Sequence, residues 1–340
     1  MWSVTVLERL GSGPRAGRSA VPSGAVTIRL TVQRERWWNH VTYVADTIDG
    51  LVPVIKGTGY GVGRSGLAIA ASRLSSVLAG GTVHELDGLL QLEGVAPSTT
   101  FIVLTPNLHA RVSHLPTDRV VLTIGNDRHL EALRGWNGRV IVKLPSAMRR
   151  YGGDMGLVGR AQRSGLRTVG VAIHPPIAGD DDEHVAQITR LLPGIDPSLD
   201  VWVSHLAPTT YEQLPTTHRF RLRLGTYLWL GDREAIHLGA DVLERRTVRA
   251  GDAAGYRQHV VEHDGHLVMI GAGSANGVTT LGDGRSPFHF ERRRLDLLEA
   301  PHMHTSMAVV ADGDPCPGIG DWVDVQRPLT MTTVDELHWV

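Results

Sequence analysis

The chain has 340 residues, with 34 Lys plus Arg against 35 Asp plus Glu, a formal net charge of -1, and 42% hydrophobic residues. That length excludes a lone small domain, and the apolar share is enough to build a core, which argues against wholesale disorder. Balanced charge removes the electrostatic footprint of a nucleic-acid or membrane-surface binder, and the single cysteine, Cys316, excludes an intramolecular disulfide and a cysteine-based zinc site.

Residues 1–25 are rich in Gly, Ser and Arg and lack a long apolar core, so they read as a flexible amino-terminal arm and not as a secretory signal. From 26 to 240 short β-branched runs alternate with stretches able to carry a helix. The runs are Val52–Lys56, Thr82–Leu86, Phe101–Leu104, Val120–Ile124, Arg139–Lys143, Thr168–Ile173, Asp200–Ser204 and Arg219–Leu224. Near-continuous apolar strands at this spacing predict a parallel sheet covered by helices, and eight of them predict a closed (β/α)8 barrel of the TIM type. Residues 241–340 carry short polar-alternating runs broken by Gly and Pro, which predicts a carboxy-terminal antiparallel β domain. No apolar run reaches the roughly 18 residues needed to span a bilayer, so a cytoplasmic protein is expected.

In such a barrel the chemistry sits at the carboxyl ends of the strands. Here those ends carry Lys56, followed by a glycine-rich turn, then Lys143 with Arg149 and Arg150, His174, His205, and Arg223 followed by Gly225 and Thr226. Together they predict a positive cup suited to an anionic cofactor or substrate. A lysine closing an apolar strand is desolvated and can act as a neutral amine, as Schiff-base chemistry requires.

The segment Val54-Ile55-Lys56-Gly57-Thr58-Gly59-Tyr60-Gly61-Val62-Gly63 resembles the pyridoxal-phosphate lysine motif of alanine racemases, V-V-K-A-N-A-Y-G-H-G. Further landmarks follow in order. Lys143 to Gly152 is similar to the segment K-V-D-T-G-M-x-R-L-G, His174 stands at T-H-F, His205 to Thr209 at H-x-A-N-S, and Arg223 to Thr226 at R-P-G-I. Beyond the barrel, Gly251 to Tyr256, Thr305-Ser306-Met307 and Gly320 to Val323 resemble the family's G-D-x-V-S-Y-G, V-S-M-D and G-D-E-V.

The resemblance implies pyridoxal 5'-phosphate as cofactor and Lys56 as the Schiff-base lysine and base at the substrate's Cα. It implies Tyr60, Thr209, Gly225 and Thr226 around the phosphate and His174 and His205 along the ring, with His205 orienting Arg223. Arg223 would face the pyridine nitrogen, which weakens the electron sink and suits racemisation, and Arg150 and Met307 would meet the substrate, Arg150 at its carboxylate. It further implies a small amino-acid substrate and a homodimer whose active sites are shared. Lys143 matches a lysine that is carbamylated in some members.

The pattern breaks where the family places a second catalytic tyrosine, in I-G-Y-A-D-G. This chain reads Ile270-Gly271-Ala272-Gly273-Ser274-Ala275-Asn276-Gly277, with Ala272 or Ser274 at that position. Ser274 and His304 are the candidates for the second acid/base. A one-base lyase or decarboxylase and a non-catalytic, cofactor-binding regulator are the alternatives to a racemase. Asp180 to Glu183 reads as acidic charge at a helix start, Trp37-Trp38 as packing, Cys316 as a loop residue, and no metal site is expected.

Overall fold

The computed structural model describes residues 27–109 and 111–340, and the arm expected over 1–25 lies outside the described residues. The described chain forms two units, one of 39–59 and 63–231, the other of 27–38, 60–62 and 232–340. It begins with strand β1 (Ile28–Val32) and helix α1 (Arg34–Asp46).

The first unit is the expected parallel barrel. Its strands are β2 (Leu51–Pro53), β3 (Val77–Gly80), β4 (Thr100–Val103), β5 (Val120–Ile124), β6 (Arg139–Lys143), β7 (Arg167–Ala172), β8 (Asp200–Ser204) and β9 (Phe220–Leu224). They lie in the order β2-β9-β8-β7-β6-β5-β4-β3. A parallel bridge between Val54 and Ala79, with Ile55 N–H donating to the Ala79 carbonyl at 2.8 Å, joins the two ends of that order. Val52, Val54, Ala79, Ile102, Val121, Ile141, Ala172 and Trp202 pack as one buried cluster. Side chains two apart on a strand share a face, so this cluster defines the inward face of the barrel.

Helix α2 (Arg64–Leu74) follows β2, α3 (Asp127–Ala132) follows β5, α4 (Gly156–Arg163) follows β6, and α5 (Asp181–Leu191) follows β7. Helices α6 (Pro208–Tyr211) and α7 (Thr226–Leu230) follow β8 and β9. The side chains of Asn126 and Asp180 cap α3 and α5 by accepting the N–H groups of His129 and Glu183. Among the described residues no α-helix separates β3 from β4 or β4 from β5.

One expected strand is corrected. Thr82–Leu86 is not a strand: Val83–Leu86 is a 3-10 turn, and the second barrel strand is Val77–Gly80. The Glu85 carboxylate reaches back to the Gly81 N–H at 2.7 Å, which curls the segment, while Val83 and Leu86 turn inward.

The second unit is a β domain, antiparallel except for one pair. Strand β10 (Ile236–Val248) is central and pairs antiparallel with β1, with β13 (Gly265–Ile270) and with β18 (Trp322–Val325). The sheet is extended by β14 (Phe288–Phe290), β15 (Arg293–Arg294), β16 (Asp296–Leu297) and β17 (Ser306–Ala311), and β11 (Ala253–Ala254) with β12 (His259–Val260) forms a separate hairpin. The one parallel pair is β1 with β19 (Glu336–Trp339). Thus β1 and the start of β10, which the sequence rhythm placed within barrel residues 26–240, run in this sheet. Trp37 is buried and its ring lies 5.4 Å from that of Trp339, the packing expected of it. No helix among the described residues is long and apolar enough to cross a membrane.

Candidate active site

Strand alternation sets the layers inside the barrel. Trp202, Ile141 and Val121 belong to the inward cluster, so Ser204, Lys143 and Thr123, two residues on, face the same way nearer the carboxyl ends. Arg223 pairs across the sheet with Ser204 and with Val52, which puts it in that upper layer. Lys56 follows β2 after Val54 and Ile55, at the same end. Sequence periodicity alone thus builds a ring of basic groups at one mouth of the barrel.

The cations act on one another. Lys56 is open to solvent, yet surrounding protein still lowers its pKa, through desolvation first and then Arg150 and Arg223, with Glu85 opposing. Lys143 is 3% exposed, and burial, then Arg223 and Arg150, push it down to about 7. A large fraction of Lys143 is therefore neutral near neutral pH. Its ammonium lies 4.8 Å from the ring of Tyr151, and Arg150 stacks on that ring at 4.8 Å.

Arg223 is buried, and its hydrogen bonds run to backbone: Nε to the Val203 carbonyl at 3.2 Å, and Nη2 to the Ile173 and Trp202 carbonyls at 2.9 and 3.2 Å. Burial pushes it down to about 10, which leaves it a cation at physiological pH. The orienting role expected of His205 is filled by these carbonyls. His205 Nδ1 instead donates to the Pro175 carbonyl at 2.9 Å, and a carbonyl can only accept, so the proton is fixed on Nδ1.

His174 and His205 lie side by side, ring centroids 4.6 Å apart. Burial followed by Arg223 and Lys143 pushes His174 down to about 2, and burial lowers His205 as well, so both rings are neutral donors or acceptors and not cations. Ser204, missed in the sequence, shares a short hydrogen bond with His174 Nδ1. Alternation from Trp202 would have found it. Tyr60, Arg149 and His205 adopt left-handed backbone, with φ of 54°, 51° and 59°. Side chains rarely hold that conformation unless their surroundings enforce it, and such residues gather at functional sites.

The remaining expected residues divide between the units. Thr209 is exposed on α6, Gly225 caps α7 and Thr226 opens it, all at the carboxyl end of the barrel. Tyr60 is buried and lies with the second unit. Ser274, His304 and Met307 belong to the β domain. Ser274 N–H donates to the His302 carbonyl at 2.8 Å, which ties its turn to the segment carrying His304, and both side chains are exposed. Met307 is nearly buried in β17, in the cluster with Val248, Val261 and Leu267. Ala272 is fully buried, and its carbonyl accepts from Ser306 Oγ at 2.7 Å.

A barrel with a softened lysine, a backbone-held arginine and two neutral imidazoles at one mouth, joined in one chain to a β domain, defines a class. The fold is that of the alanine racemases. The chain superposes on alanine racemase from Bartonella henselae, a structure with covalently bound pyridoxal phosphate, with a TM-score of 0.71 and 16% identity over 92% of this chain and 99% of that one. Biosynthetic alanine racemase from Pseudomonas aeruginosa gives 0.70 and 19% over 93% and 99%. The enzyme from Bacillus anthracis with bound L-Ala-P gives 0.69 and 17% over 88% and 85%. No family model matches the chain, and no curated protein matches it.

Proposed function

We propose that the chain is a pyridoxal-phosphate-dependent amino-acid racemase of the alanine racemase type, cytoplasmic and acting on a small amino acid as a homodimer with shared active sites. The observation that carries this reading is Lys56, its basicity lowered, beside Arg150 and Arg223 at the mouth of an alanine-racemase barrel.

The donor set suits the cofactor. Four basic side chains gather at the mouth, which favours a phosphate, and the paired imidazoles offer a neutral aromatic edge for a ring. When bound, pyridoxal phosphate supplies a carbonyl for the amine of Lys56 or substrate and an electron sink for the adjacent carbon. Lys56 takes and returns the proton at the substrate's Cα on one face. Arg223, oriented by three carbonyl contacts and still a cation, would be the residue to donate to the pyridine nitrogen, and a donor that keeps its proton would weaken the electron sink that the cofactor supplies. Tyr60, Thr209, Gly225 and Thr226 would hold the phosphate, Arg150 would present its planar fork to the substrate carboxylate, and Met307 of a partner subunit would meet the substrate. Ser274 or His304 of a partner subunit, both exposed, serves as the acid on the opposite face.

A second reading, a one-base lyase or decarboxylase, is favoured by one observation: neither Ala272 nor Ser274 offers a phenol. Proton exchange at Cα separates the two. Incubating L- and D-alanine, then other amino acids, with cofactor-loaded protein in D2O is expected to give deuterium in both enantiomers. Label confined to one enantiomer supports a one-base lyase, and no label in any amino acid rejects the racemase and leaves a decarboxylase or a non-catalytic cofactor binder. Lys56→Ala is expected to remove the visible absorbance of the loaded protein; an unchanged band would reject the role of Lys56.

A further inference from the structure

The acidic start of α5, which reads in sequence as mere charge at a helix end, grips a loop of the candidate site. Asp181 Oδ2 accepts the Ala207 N–H at 3.0 Å. His184, one turn on and 5% exposed, places Nδ1 3.0 Å from the His205 carbonyl and Nε2 3.2 Å from the Ala178 carbonyl; the tautomer protonated on Nδ1 donates to His205, and only an imidazolium donates to both. Positions i and i+3 share a helix face, so one face of α5 takes an N–H and a C=O from the same three-residue stretch, 205–207. That stretch contains His205 at φ 59°, a conformation that needs outside support.

The contacts join two loops. Ala178 lies on the loop after β7, which carries His174, and residues 205–207 lie on the loop after β8. Pro175, on the first loop, takes the Nδ1 proton of His205 from the second, and Ser146 Oγ donates to the His174 carbonyl at 2.7 Å. His184 is thus fixed, through backbone carbonyls, to the loops bearing both imidazoles.

We propose that Asp181 and His184 are positioning residues: together they clamp the backbone of 205–207 and so set the His205 ring against His174, where it lines the cofactor. The last clause rests on the cofactor reading above. The clamp itself does not, because it is a property of the loop with or without cofactor. The Asp181 arm is charge-assisted though exposed, and the His184 arm is partly buried.

The test compares Asp181→Ala and His184→Leu, which remove an arm, with Asp181→Asn and His184→Gln, which keep an acceptor or a donor at the same place. Three quantities are read: the Nδ1–H resonance of His205 in 15N-histidine-labelled protein without cofactor, pyridoxal phosphate affinity, and the unfolding midpoint. Asp181→Ala and His184→Leu are expected to lose the His205 Nδ1–H resonance and weaken cofactor binding about tenfold each. Combined, they are expected to weaken it little further, since both hold one loop. The Asn and Gln variants are expected to restore both readings.

Folded Ala and Leu variants that keep the resonance and the affinity would overturn the clamp. A lowered unfolding midpoint that Asn and Gln do not repair, with the resonance intact, would overturn it equally. If His184→Leu does not fold, Asp181→Ala and the two conservative variants decide. Loss of the resonance in a protein whose wild type binds no cofactor would uphold the clamp and reject the cofactor reading.

Discussion

The indole N–H of Trp229 donates to the carbonyl of Val54 at 2.7 Å. Trp229 is fully buried on α7, the helix that Gly225 and Thr226 open, and Val54 stands two residues before Lys56. One bond therefore ties the proposed phosphate loop to the lysine strand. Trp229→Phe keeps most of the apolar bulk but leaves the Val54 carbonyl unpaired in the core, and a loss of about 1–3 kcal/mol is expected. Urea unfolding measures that loss, and a lower pyridoxal phosphate affinity in the folded variant would show that the bond also places Lys56.

Lys143 makes stability depend on pH in a defined direction. Its folded pKa, about 7, lies below the 10.5 of an unfolded lysine, so below pH 7 the folded protein carries a buried charge at full cost. Between 7 and 10.5 the unfolded chain binds the extra proton and stability rises with pH. Lys143→Met is therefore expected to stabilise the cofactor-free protein by about 3–5 kcal/mol at pH 6.5, with the gain shrinking as pH approaches 10. A gain that grows with pH would contradict the desolvated state of this lysine.

Asp241 titrates the opposite way. Burial, with Asp335 nearby, pushes it up to about 6 from 3.8, and its Oδ1 is buried without a hydrogen bond. The penalty for the carboxylate is present above pH 6 and disappears as the pH falls through 6 to 3.8, because the folded state binds the proton first. Asp241→Asn is expected to raise the unfolding midpoint at pH 7.5 and to leave it nearly unchanged at pH 4. Thermal unfolding across that range is the check.

At the amino ends of β8 and β9, Asp200 is 5% exposed and accepts from Arg219 at 2.5 Å and Arg221 at 3.0 Å. Removing Arg221, the less exposed partner, leaves the buried carboxylate with only the exposed Arg219, at a cost of about 1–3 kcal/mol. Arg221→Leu is expected to lose that much stability while the folded fraction keeps its cofactor affinity, since the lysine and imidazoles stand at the other end of the strands.

The two ways of placing the missing tyrosine now differ physically. Ala272 has no exposed surface, so Ala272→Tyr overpacks the β domain and is expected to lower the unfolding midpoint by several degrees. Ser274 is exposed, so Ser274→Tyr is expected to fold as the parent does and to raise the racemisation rate with alanine at least about tenfold. An unchanged rate in that variant would separate this turn from the chemistry.

Much of the barrel was legible because its strands are buried on both faces and so write themselves as apolar runs, Val120–Ile124 and Asp200–Ser204 among them. Lys143, His174 and Arg223 were legible because each sits at or just past such a run. Val77–Gly80 was not, because Ala79 and Gly80 carry little β signal and the adjacent Thr82–Leu86 has the composition of a strand. Pairing of β1 with β10 and β19 was invisible, since alternation says that a strand is half buried but not which distant strand covers it. The grip of Asp181 on Ala207 went unseen for a related reason: hydrogen bonds between loops leave no periodic trace, whereas Ser204 was within reach of strand alternation.

The β domain draws β1 from before the barrel in the sequence and β10 and β19 from after it, which has a kinetic consequence during synthesis. Val32 pairs with Ile236 and with Trp339, so β1 leaves the ribosome some two hundred residues ahead of its first partner. At ordinary translation speeds that interval is about 10–40 s. Throughout it, alternate residues of β1, which end up fully buried at Ile28, Leu30 and Val32, are an apolar strand with both edges open. The barrel has all its strands by residue 224 and is free to fold first. Nascent chains halted between the two units should therefore engage chaperones through β1, and a charged substitution at Leu30 should relieve that capture even as it spoils the finished sheet.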